Sequence, residues 1–294
     1  MGYFLRLSRQ YSNYQFEILM DSVTNVIITG STRGLGLSHA KYLAQSGYNL
    51  ALIDISKEAC EVYGEVNDIN DLLDGLKQYN VKVEFYECDL TNLEATTKVC
   101  EEIIGEFGTI EGLVLNAGGD VMGKDNNAEG GKAEKNTIDI SIKNHDEIFN
   151  RNYYTSLNSI KAMLPHFRNN KFGKIITTSS ISAGYGAEVE TAYAISKAAV
   201  IHLTRSVAVQ LRSYNINVNC IAPGPTLTGR FKAFMNQRSN EDKEKIQSKE
   251  DSILMRPAEP EYASSVVGFL LSEDSKYISG QVIRIDGGQF TSPI

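Results

Sequence analysis

The chain has 294 residues, of which 42% are hydrophobic and 22% are charged, so it has enough apolar material for a sizeable folded core. Its formal net charge of −7 argues against a nucleic-acid-binding protein, because such proteins neutralise phosphates with lysine and arginine. No run of about 18 apolar residues occurs, so no membrane-spanning helix is predicted.

The N-terminal segment differs from the rest of the chain. Residues 1–20 carry Arg6 and Arg9, contain no acidic residue before Glu17, and lack the apolar segment of a secretory signal. Gly2 does not complete a myristoylation pattern, since position 6 is not Ser or Thr. We interpret residues 1–20 as an N-terminal extension and residues 21–294 as the folded domain. A mitochondrial presequence and a translation start at Met20 are the alternatives.

The cysteines are widely separated and form no Cys-x-x-Cys pair, so no metal site is predicted. They are Cys60, Cys88, Cys100 and Cys220. This usage is typical of free thiols in a reducing compartment, and we expect a cytoplasmic protein.

Apolar, β-branched runs alternate along the chain with segments of helical periodicity. The strand candidates are residues 23–29, 49–54, 81–86, 112–116, 174–180, 217–222 and 281–286. Continuous apolar runs suit strands that are buried on both faces of a parallel sheet. The alternation predicts a single α/β domain with a doubly wound, seven-stranded parallel sheet flanked by helices.

Two segments interrupt this alternation. Residues 119–137 are rich in glycine, asparagine and charge, which predicts a long loop of functional importance or high mobility. Residues 236–250 are highly charged, which indicates a solvated helix or a flexible flap.

A glycine-rich loop follows the first predicted strand and opens the first predicted helix. Such a loop lets the backbone approach a pyrophosphate at the positive end of a helix. The predicted cofactor-binding residues of this loop are Gly30, Ser31, Thr32, Arg33, Gly34, Leu35 and Gly36.

Asp54 ends the second predicted strand, where a carboxylate can bind the hydroxyl groups of the adenosine ribose. It would repel the 2′-phosphate of NADP, so we expect NAD as the cofactor. NADP stays an alternative because Arg33 could reach that phosphate. A helix N-cap role is the other interpretation of Asp54.

Tyr193 and Lys197 are four residues apart and therefore share one face of a predicted helix. A tyrosine with an ordinary pKa near 10 needs roughly 4 kcal/mol of differential stabilisation to act as a base near pH 7. A neighbouring ammonium group and an oxidised nicotinamide could supply it. Ser180 ends a predicted strand and could position a substrate oxygen. Ser179 is the competitor, although strand alternation turns it to the other face.

These residues together resemble the short-chain dehydrogenase/reductase family in its shorter, single-domain branch. The resemblance rests on the glycine loop, Asn116-Ala117-Gly118, Ser180, the Tyr193–Lys197 pair and Pro223-Gly224, and it extends over residues 23–288. It implies a Rossmann-type sheet, a nicotinamide cofactor and a homotetramer or homodimer.

The resemblance also implies roles for further residues. Cofactor contacts are implied for Asp89, Leu90, Asn116, Ala117, Gly118, Tyr193, Lys197, Pro223, Gly224 and Thr228. Asn152 resembles the asparagine that holds a water between the lysine and solvent, with Asn150 as its rival. Residues 225–255 correspond to a mobile lid, and residues 286–288 to the closing strand and turn.

The predicted function is NAD(P)-dependent interconversion of a secondary alcohol and a carbonyl in a small-molecule substrate. Asn152, Ser180, Tyr193 and Lys197 are the candidate catalytic residues, with Tyr193 as the general acid/base. The alternatives are an NADPH-dependent 3-oxoacyl-[acyl-carrier-protein] reductase and a catalytically inactive dinucleotide-binding regulatory protein. Neither a nucleic acid nor a membrane is expected as a partner.

Overall fold

A parallel β-sheet forms the centre of the protein in a computed structural model, which describes residues 24–120, 137–186, 189–236 and 252–291. Within these ranges the strands are β1 (Asn25–Thr29), β2 (Asn49–Asp54), β3 (Val83–Glu87), β4 (Gly112–Leu115), β5 (Gly173–Thr178), β6 (Ile216–Pro223) and β7 (Val282–Ile285). Their spatial order is β3-β2-β1-β4-β5-β6-β7, and the paired strands are parallel. The predicted seven-stranded parallel sheet is confirmed, and each strand overlaps the segment predicted for it.

Helices connect the strands and cover both faces of the sheet. In the described part of the chain they are α1 (Gly34–Gln45), α2 (Ile69–Lys77), α3 (Leu93–Phe107), α4 (Ile142–Phe149), α5 (Thr155–Asn170), α6 (Thr191–Leu211), α7 (Gly229–Asn236) and α8 (Pro260–Leu271). The predicted doubly wound α/β architecture is therefore confirmed.

Two hydrophobic cores lie on opposite faces of the sheet, which explains the continuous apolar runs in the strands. In β1, Ile27 belongs to the core that contains the apolar sides of α3, α5 and α6. Its neighbours Val26 and Ile28 belong to the core that contains the apolar sides of α1, α2 and α8. Because successive side chains of a strand point to opposite faces, a strand buried on both sides needs apolar residues at successive positions.

The direction of winding reverses between β1 and β4, which are neighbours in the sheet but not in the chain. Ligands of open α/β sheets bind at such a switch point, outside the carboxyl ends of the strands. The segments that follow β1 and β4 contain the glycine loop and Asn116. The topology thus brings two of the predicted motifs to one edge of the sheet.

A π-helical turn at Asn150–Tyr154 joins α4 to α5. Such turns are rare in helices and frequently occur at functional sites. Asn152 lies at the middle of the turn and is fully buried.

Several sequence predictions fall outside the described residues. These are the N-terminal extension 1–20, most of the loop 119–137, most of the charged segment 236–250 and the centre of the lid 225–255. In the part of the chain that the structure does describe, none of the helices has the length and apolarity needed to cross a membrane.

Candidate active site

The glycine loop turns tightly between β1 and α1. Gly30 and Gly34 have φ angles of 60° and 56°, in the left-handed region that favours glycine. A side-chain carbon on Gly36 would lie 1.9 Å from the carbonyl oxygen of Gly30, so only glycine allows this approach. Asn116 Nδ2 donates to the same carbonyl oxygen at 3.0 Å. Asn116 therefore stabilises the turn of the glycine loop.

Ser31 and Thr32 turn inward from the loop and are fully buried. The Ser31 hydroxyl donates to the Ile53 carbonyl at 3.2 Å, and the Thr32 hydroxyl donates to Asp54 Oδ2 at 2.7 Å. The Thr32 N–H donates to the same carboxylate oxygen at 3.1 Å. These two residues support the loop, and they fix the position of Asp54 at the end of β2. The N-cap of the next helical turn is Ser56 and not Asp54.

A cleft of about 1470 Å³ opens at the carboxyl edge of the sheet. The predicted site residues that line it are Gly30, Arg33, Gly34, Leu35, Asp54, Asp89, Leu90, Asn116, Ala117, Gly118, Ser180, Tyr193, Lys197, Pro223, Gly224 and Thr228. The volume of the cleft is large enough for a dinucleotide and a small substrate. The Asp89 carboxylate accepts hydrogen bonds from the N–H and hydroxyl of Thr91, at 2.9 and 2.7 Å.

Three of the candidate catalytic side chains meet on one wall of this cleft. Tyr193 and Lys197 lie one turn apart near the start of α6, and Ser180 follows β5. Ser180 and Tyr193 both line the cleft, and the Ser180 hydroxyl acts to lower the pKa of Tyr193. Lys197 Nζ donates to the carbonyl of Thr178 at 2.9 Å and lies 5.7 Å from the centroid of the Tyr193 ring.

Ser179, the competitor of Ser180, uses its hydroxyl to support α6. Its Oγ donates to the carbonyl oxygen of Lys197 at 2.8 Å. Ser180 instead begins a short 3-10 helix (Ile181–Gly184), and its Oγ accepts from the N–H of Ser182 at 3.2 Å. Both serines line the cleft, but only the Ser179 hydroxyl is hydrogen-bonded to the backbone of α6.

Asn152 lies behind the cleft, whereas its rival Asn150 lines it. The Asn152 side chain bonds both the N–H and the carbonyl of Gly119. A side-chain carbon on Gly118 would lie 2.5 Å from Asn152 Oδ1 and 3.2 Å from Lys197 Nζ. Asn152 Oδ1 and Lys197 Nζ therefore both lie next to Gly118.

Burial dominates the ionisation of the central pair. Tyr193 lines the cleft and is half-buried, and burial raises the pKa of Tyr193. The hydrogen bond from Ser180 and the positive charge of Arg230 act in the opposite direction. Burial also lowers the pKa of Lys197 to about 8. Among the described residues, burial thus outweighs the groups that lower the pKa of Tyr193.

Sequence reasoning missed three side chains of the site. Glu190 is buried, has a φ of 76° and directly precedes α6. Its Oε2 accepts from the Ser182 hydroxyl at 3.1 Å, and Ser182 Oγ accepts from Ser180 at 3.2 Å. Arg230, from α7, donates to the carbonyl of Asp120 at 3.3 Å. A left-handed non-glycine residue at an active site often stores functional strain, but no sequence pattern marked Glu190.

The cleft fits the anionic centre of a dinucleotide. The N–H groups of Gly34 and Gly229, at the starts of α1 and α7, both donate to the carboxylate of Glu65, at 2.8 and 2.9 Å. A carboxylate oxygen on these donors shows that they can bind an anion, as a pyrophosphate requires. Gly30 and Gly34 provide the close backbone approach, and Asp54 lies where a ribose hydroxyl would be bound.

Known proteins are similar to this chain in sequence and in fold. A family profile described as Enoyl-(Acyl carrier protein) reductase matches residues 30–289. Cyclohexanol dehydrogenase of Rhodococcus sp. (strain TK6) is 28% identical over 273 residues, which cover 89% of this chain and 94% of that protein.

Two solved structures extend the comparison. The 7α-hydroxysteroid dehydrogenase complexed with NADH is 27% identical, with a TM-score of 0.76 and coverage of 91% of this chain and 94% of that chain. The NADPH-dependent 3-quinuclidinone reductase from Rhodotorula rubra is 26% identical, with a TM-score of 0.73 and coverage of 91% of both chains. The chain belongs to the short-chain dehydrogenase/reductase family of NAD(P)-dependent oxidoreductases.

Proposed function

We propose that this protein interconverts a secondary alcohol and a carbonyl by hydride transfer, with NAD as its cofactor and Tyr193 as the general acid/base. The observation that supports this most is the meeting of Ser180, Tyr193 and Lys197 on one wall of the cleft. The nicotinamide, when bound, accepts or supplies the hydride. The protein then has to hold the reacting oxygen and move one proton.

Tyr193 moves that proton at the substrate oxygen. In oxidation its phenolate takes the alcohol proton, and in reduction its hydroxyl donates a proton to the carbonyl oxygen. Ser180 lines the same cleft as Tyr193, where its hydroxyl would bind the same substrate oxygen. Because Ser180 is buried, its hydrogen bond acts where competing water is scarce.

We assign Lys197 and Asn152 to assist proton transfer by Tyr193. The ammonium group of Lys197 lies 5.7 Å from the centroid of the Tyr193 ring, and we expect it to favour the phenolate during the reaction. Asn152 and Lys197 converge on Gly118, which is consistent with a proton path from Tyr193 through Lys197 and a water held at Asn152.

The choice of NAD over NADP rests on Asp54. Its carboxylate is anchored by Thr32 and by the N–H of Ile55, so it remains at the end of β2. A 2′-phosphate at the adenosine ribose would approach this negative charge directly. Arg33, the residue that could favour NADP, lies over the ring of Tyr63, with 5.7 Å between its guanidinium carbon and the ring centroid.

The names of the relatives guide the choice of test substrates. Cyclohexanol, a 7α-hydroxysteroid and 3-quinuclidinone are cyclic alcohols or ketones. A carrier-protein substrate is the second candidate, because a 3-oxoacyl-[acyl-carrier-protein] reductase of Thermotoga maritima is 29% identical over 264 residues. The anchored carboxylate of Asp54 disfavours its NADPH-linked form.

A substrate panel tests the proposal. Cyclic and open-chain secondary alcohols, their ketones and a 3-oxoacyl thioester are each combined with NAD(H) and NADP(H), and nicotinamide absorbance is followed. The expected result is turnover of a secondary alcohol or ketone with a preference for NAD(H). Turnover of the 3-oxoacyl thioester alone with NADPH would identify the second candidate. Cofactor binding without any turnover across the panel would favour a regulatory, catalytically inactive protein.

The proposal also includes the number of subunits and the cellular location of the protein. A homotetramer or homodimer acting on a small molecule in the cytoplasm is what we expect. Light scattering coupled to size exclusion measures the number of subunits directly.

A further inference from the structure

The carboxylate of Glu65 lies on hydrogen-bond donors of the dinucleotide cleft. Its Oε2 accepts from the N–H of Gly34 at 2.8 Å, and its Oε1 accepts from the N–H of Gly229 at 2.9 Å. Gly34 begins α1, and Gly229 begins α7. One carboxylate therefore binds the positive ends of two helices at once.

Glu65 is held in this position by the packing around it. A side-chain carbon on Gly229 would lie 2.7 Å from Cβ of Tyr63 and 2.8 Å from Cδ of Glu65. The guanidinium carbon of Arg33 lies 5.7 Å from the centroid of the Tyr63 ring. The connection between β2 and α2 thus contacts both the glycine loop and the first turn of α7.

A cofactor pyrophosphate needs the same place. In dinucleotide-binding βαβ units the pyrophosphate binds at the N-terminus of the first helix, which here is α1. A backbone N–H has a single hydrogen, so Gly34 cannot form a well-directed bond to Glu65 and to a phosphate oxygen together. The two anions also repel each other at such short distances. Glu65 in its observed position and a pyrophosphate at these donors exclude each other.

We infer that Glu65 is an internal competitor of the dinucleotide pyrophosphate. In the cofactor-free protein its carboxylate binds the N–H groups of Gly34 and Gly229, and cofactor binding displaces it. The competition weakens cofactor affinity and links cofactor entry to the start of α7, which loses a carboxylate partner at Gly229. The inference concerns binding and does not depend on the substrate or on the proposed reaction.

The substitution Glu65→Gln removes the charge with little change of shape. The probe is ADP-ribose, which contains the pyrophosphate but no nicotinamide, and its Kd is measured by isothermal titration calorimetry. The variant is expected to bind ADP-ribose about tenfold more tightly than the wild type, because the pyrophosphate no longer displaces a charged group. The cofactor-free variant is expected to melt at a lower temperature than the wild type.

Glu61→Gln is the matched control, since Glu61 is exposed in the same connection and changes the net charge equally. It is expected to leave the Kd unchanged. Unchanged or weaker ADP-ribose binding by Glu65→Gln would overturn the inference. An equal gain in both variants would also overturn it, because the cause would then be the net charge.

A measurement on the wild-type protein avoids any dependence on the variant's folding. Hydrogen exchange is followed by mass spectrometry with and without ADP-ribose. Peptides containing residues 61–66 are expected to exchange faster when ADP-ribose is bound, while the start of α1 becomes protected. Slower exchange of residues 61–66 would contradict displacement. A protein that gives the expected exchange but turns over no alcohol would refute the proposed reaction alone.

Discussion

The side chain of Asn152 binds the backbone of Gly119 on both sides of the residue. Its Oδ1 accepts from the Gly119 N–H at 2.8 Å, and its Nδ2 donates to the Gly119 carbonyl at 2.9 Å. The same Nδ2 donates to the carbonyl of Ile148 at 2.9 Å. The π-helical turn between α4 and α5 is thereby bound to the segment that follows β4, in which Gly118 lies next to Lys197.

Replacing Asn152 by alanine should affect both stability and turnover. The change leaves one buried and two part-buried hydrogen bonds unmade, which should cost about 2–4 kcal/mol of unfolding free energy. Turnover should fall at least about tenfold as Gly118 and Lys197 lose their support. Urea titration and steady-state kinetics measure the two effects.

Asn219→Ala provides the control for that experiment. Asn219 is also buried, and its side chain bonds the backbone of Ile278 and Gln281 beside β7. This variant should lose similar stability but keep the specific activity of its folded fraction. Equal loss of activity in both variants would mean that Asn152 has a structural role only.

Asp54→Asn should change the cofactor preference. The amide keeps the size of the side chain but removes the charge that opposes a 2′-phosphate. The ratio of NADP to NAD affinity should rise by about tenfold or more, equivalent to ~1.4 kcal/mol. Arg33→Gln, which alters the same wall of the cleft, should leave the preference for NAD in place. The assignment of NAD fails if wild-type protein prefers NADP and Asp54→Asn leaves that preference unchanged.

Lys197→Met should stabilise the protein near neutral pH. Burial lowers the pKa of Lys197 from 10.5 to about 8, so at pH 7 the folded protein holds a buried ammonium that costs about 3 kcal/mol. Losing the hydrogen bond to Thr178 costs about 1 kcal/mol. The expected net gain in unfolding free energy at pH 7 is therefore about 2 kcal/mol, together with a loss of turnover.

The difference in stability between Lys197→Met and wild type should depend on pH. Between about pH 8 and 10.5 the unfolded wild-type chain binds more protons than the folded one, so wild-type stability rises with pH. The advantage of Lys197→Met should consequently be close to zero at pH 9.5. Lys161→Met changes an exposed lysine on α5 and should have little effect at either pH. A Lys197→Met protein that is less stable than wild type at pH 7 would refute the prediction.

The glycines of the chain should respond oppositely to alanine substitution, according to their surroundings. Gly36→Ala places a carbon 1.9 Å from the Gly30 carbonyl, so it should abolish cofactor binding and cost about 3 kcal/mol of stability. Gly105→Ala, on α3, meets no atom within 4 Å and should stabilise the protein by about 0.5–1 kcal/mol. Thermal melting and cofactor titration separate the two. A tolerated Gly36→Ala variant would show that the glycine loop is not constrained by this contact.

Local patterns predicted the sheet and much of the cleft because each pattern reflects a local requirement. Apolar runs indicated strands that are buried on two faces, as in β1. The four-residue spacing placed Tyr193 and Lys197 on one face of α6. The glycine loop was visible because its left-handed turns and close contacts require glycine.

The features that the sequence did not reveal depend on contacts between distant segments. Glu65 and Gly229 are hydrogen-bonded although 164 positions separate them in the chain. Hydrophobic periodicity does not predict a contact between such distant positions. The inward turn of Ser31 and Thr32 depends on where β2 ends. The raised pKa of Tyr193 depends on its burial by the folded chain, which residue spacing does not specify.

Tyr193→Phe tests the proposed chemistry at one atom. The variant removes only the hydroxyl group that transfers the proton, so ADP-ribose and NAD should bind with wild-type affinity. Turnover of the alcohol identified in the substrate panel should fall at least about a thousandfold, within the range of rate enhancement that general acid/base catalysis provides. Loss of turnover with unchanged NAD affinity is the predicted result. Substantial turnover by Tyr193→Phe would contradict the assignment of Tyr193 as the general acid/base.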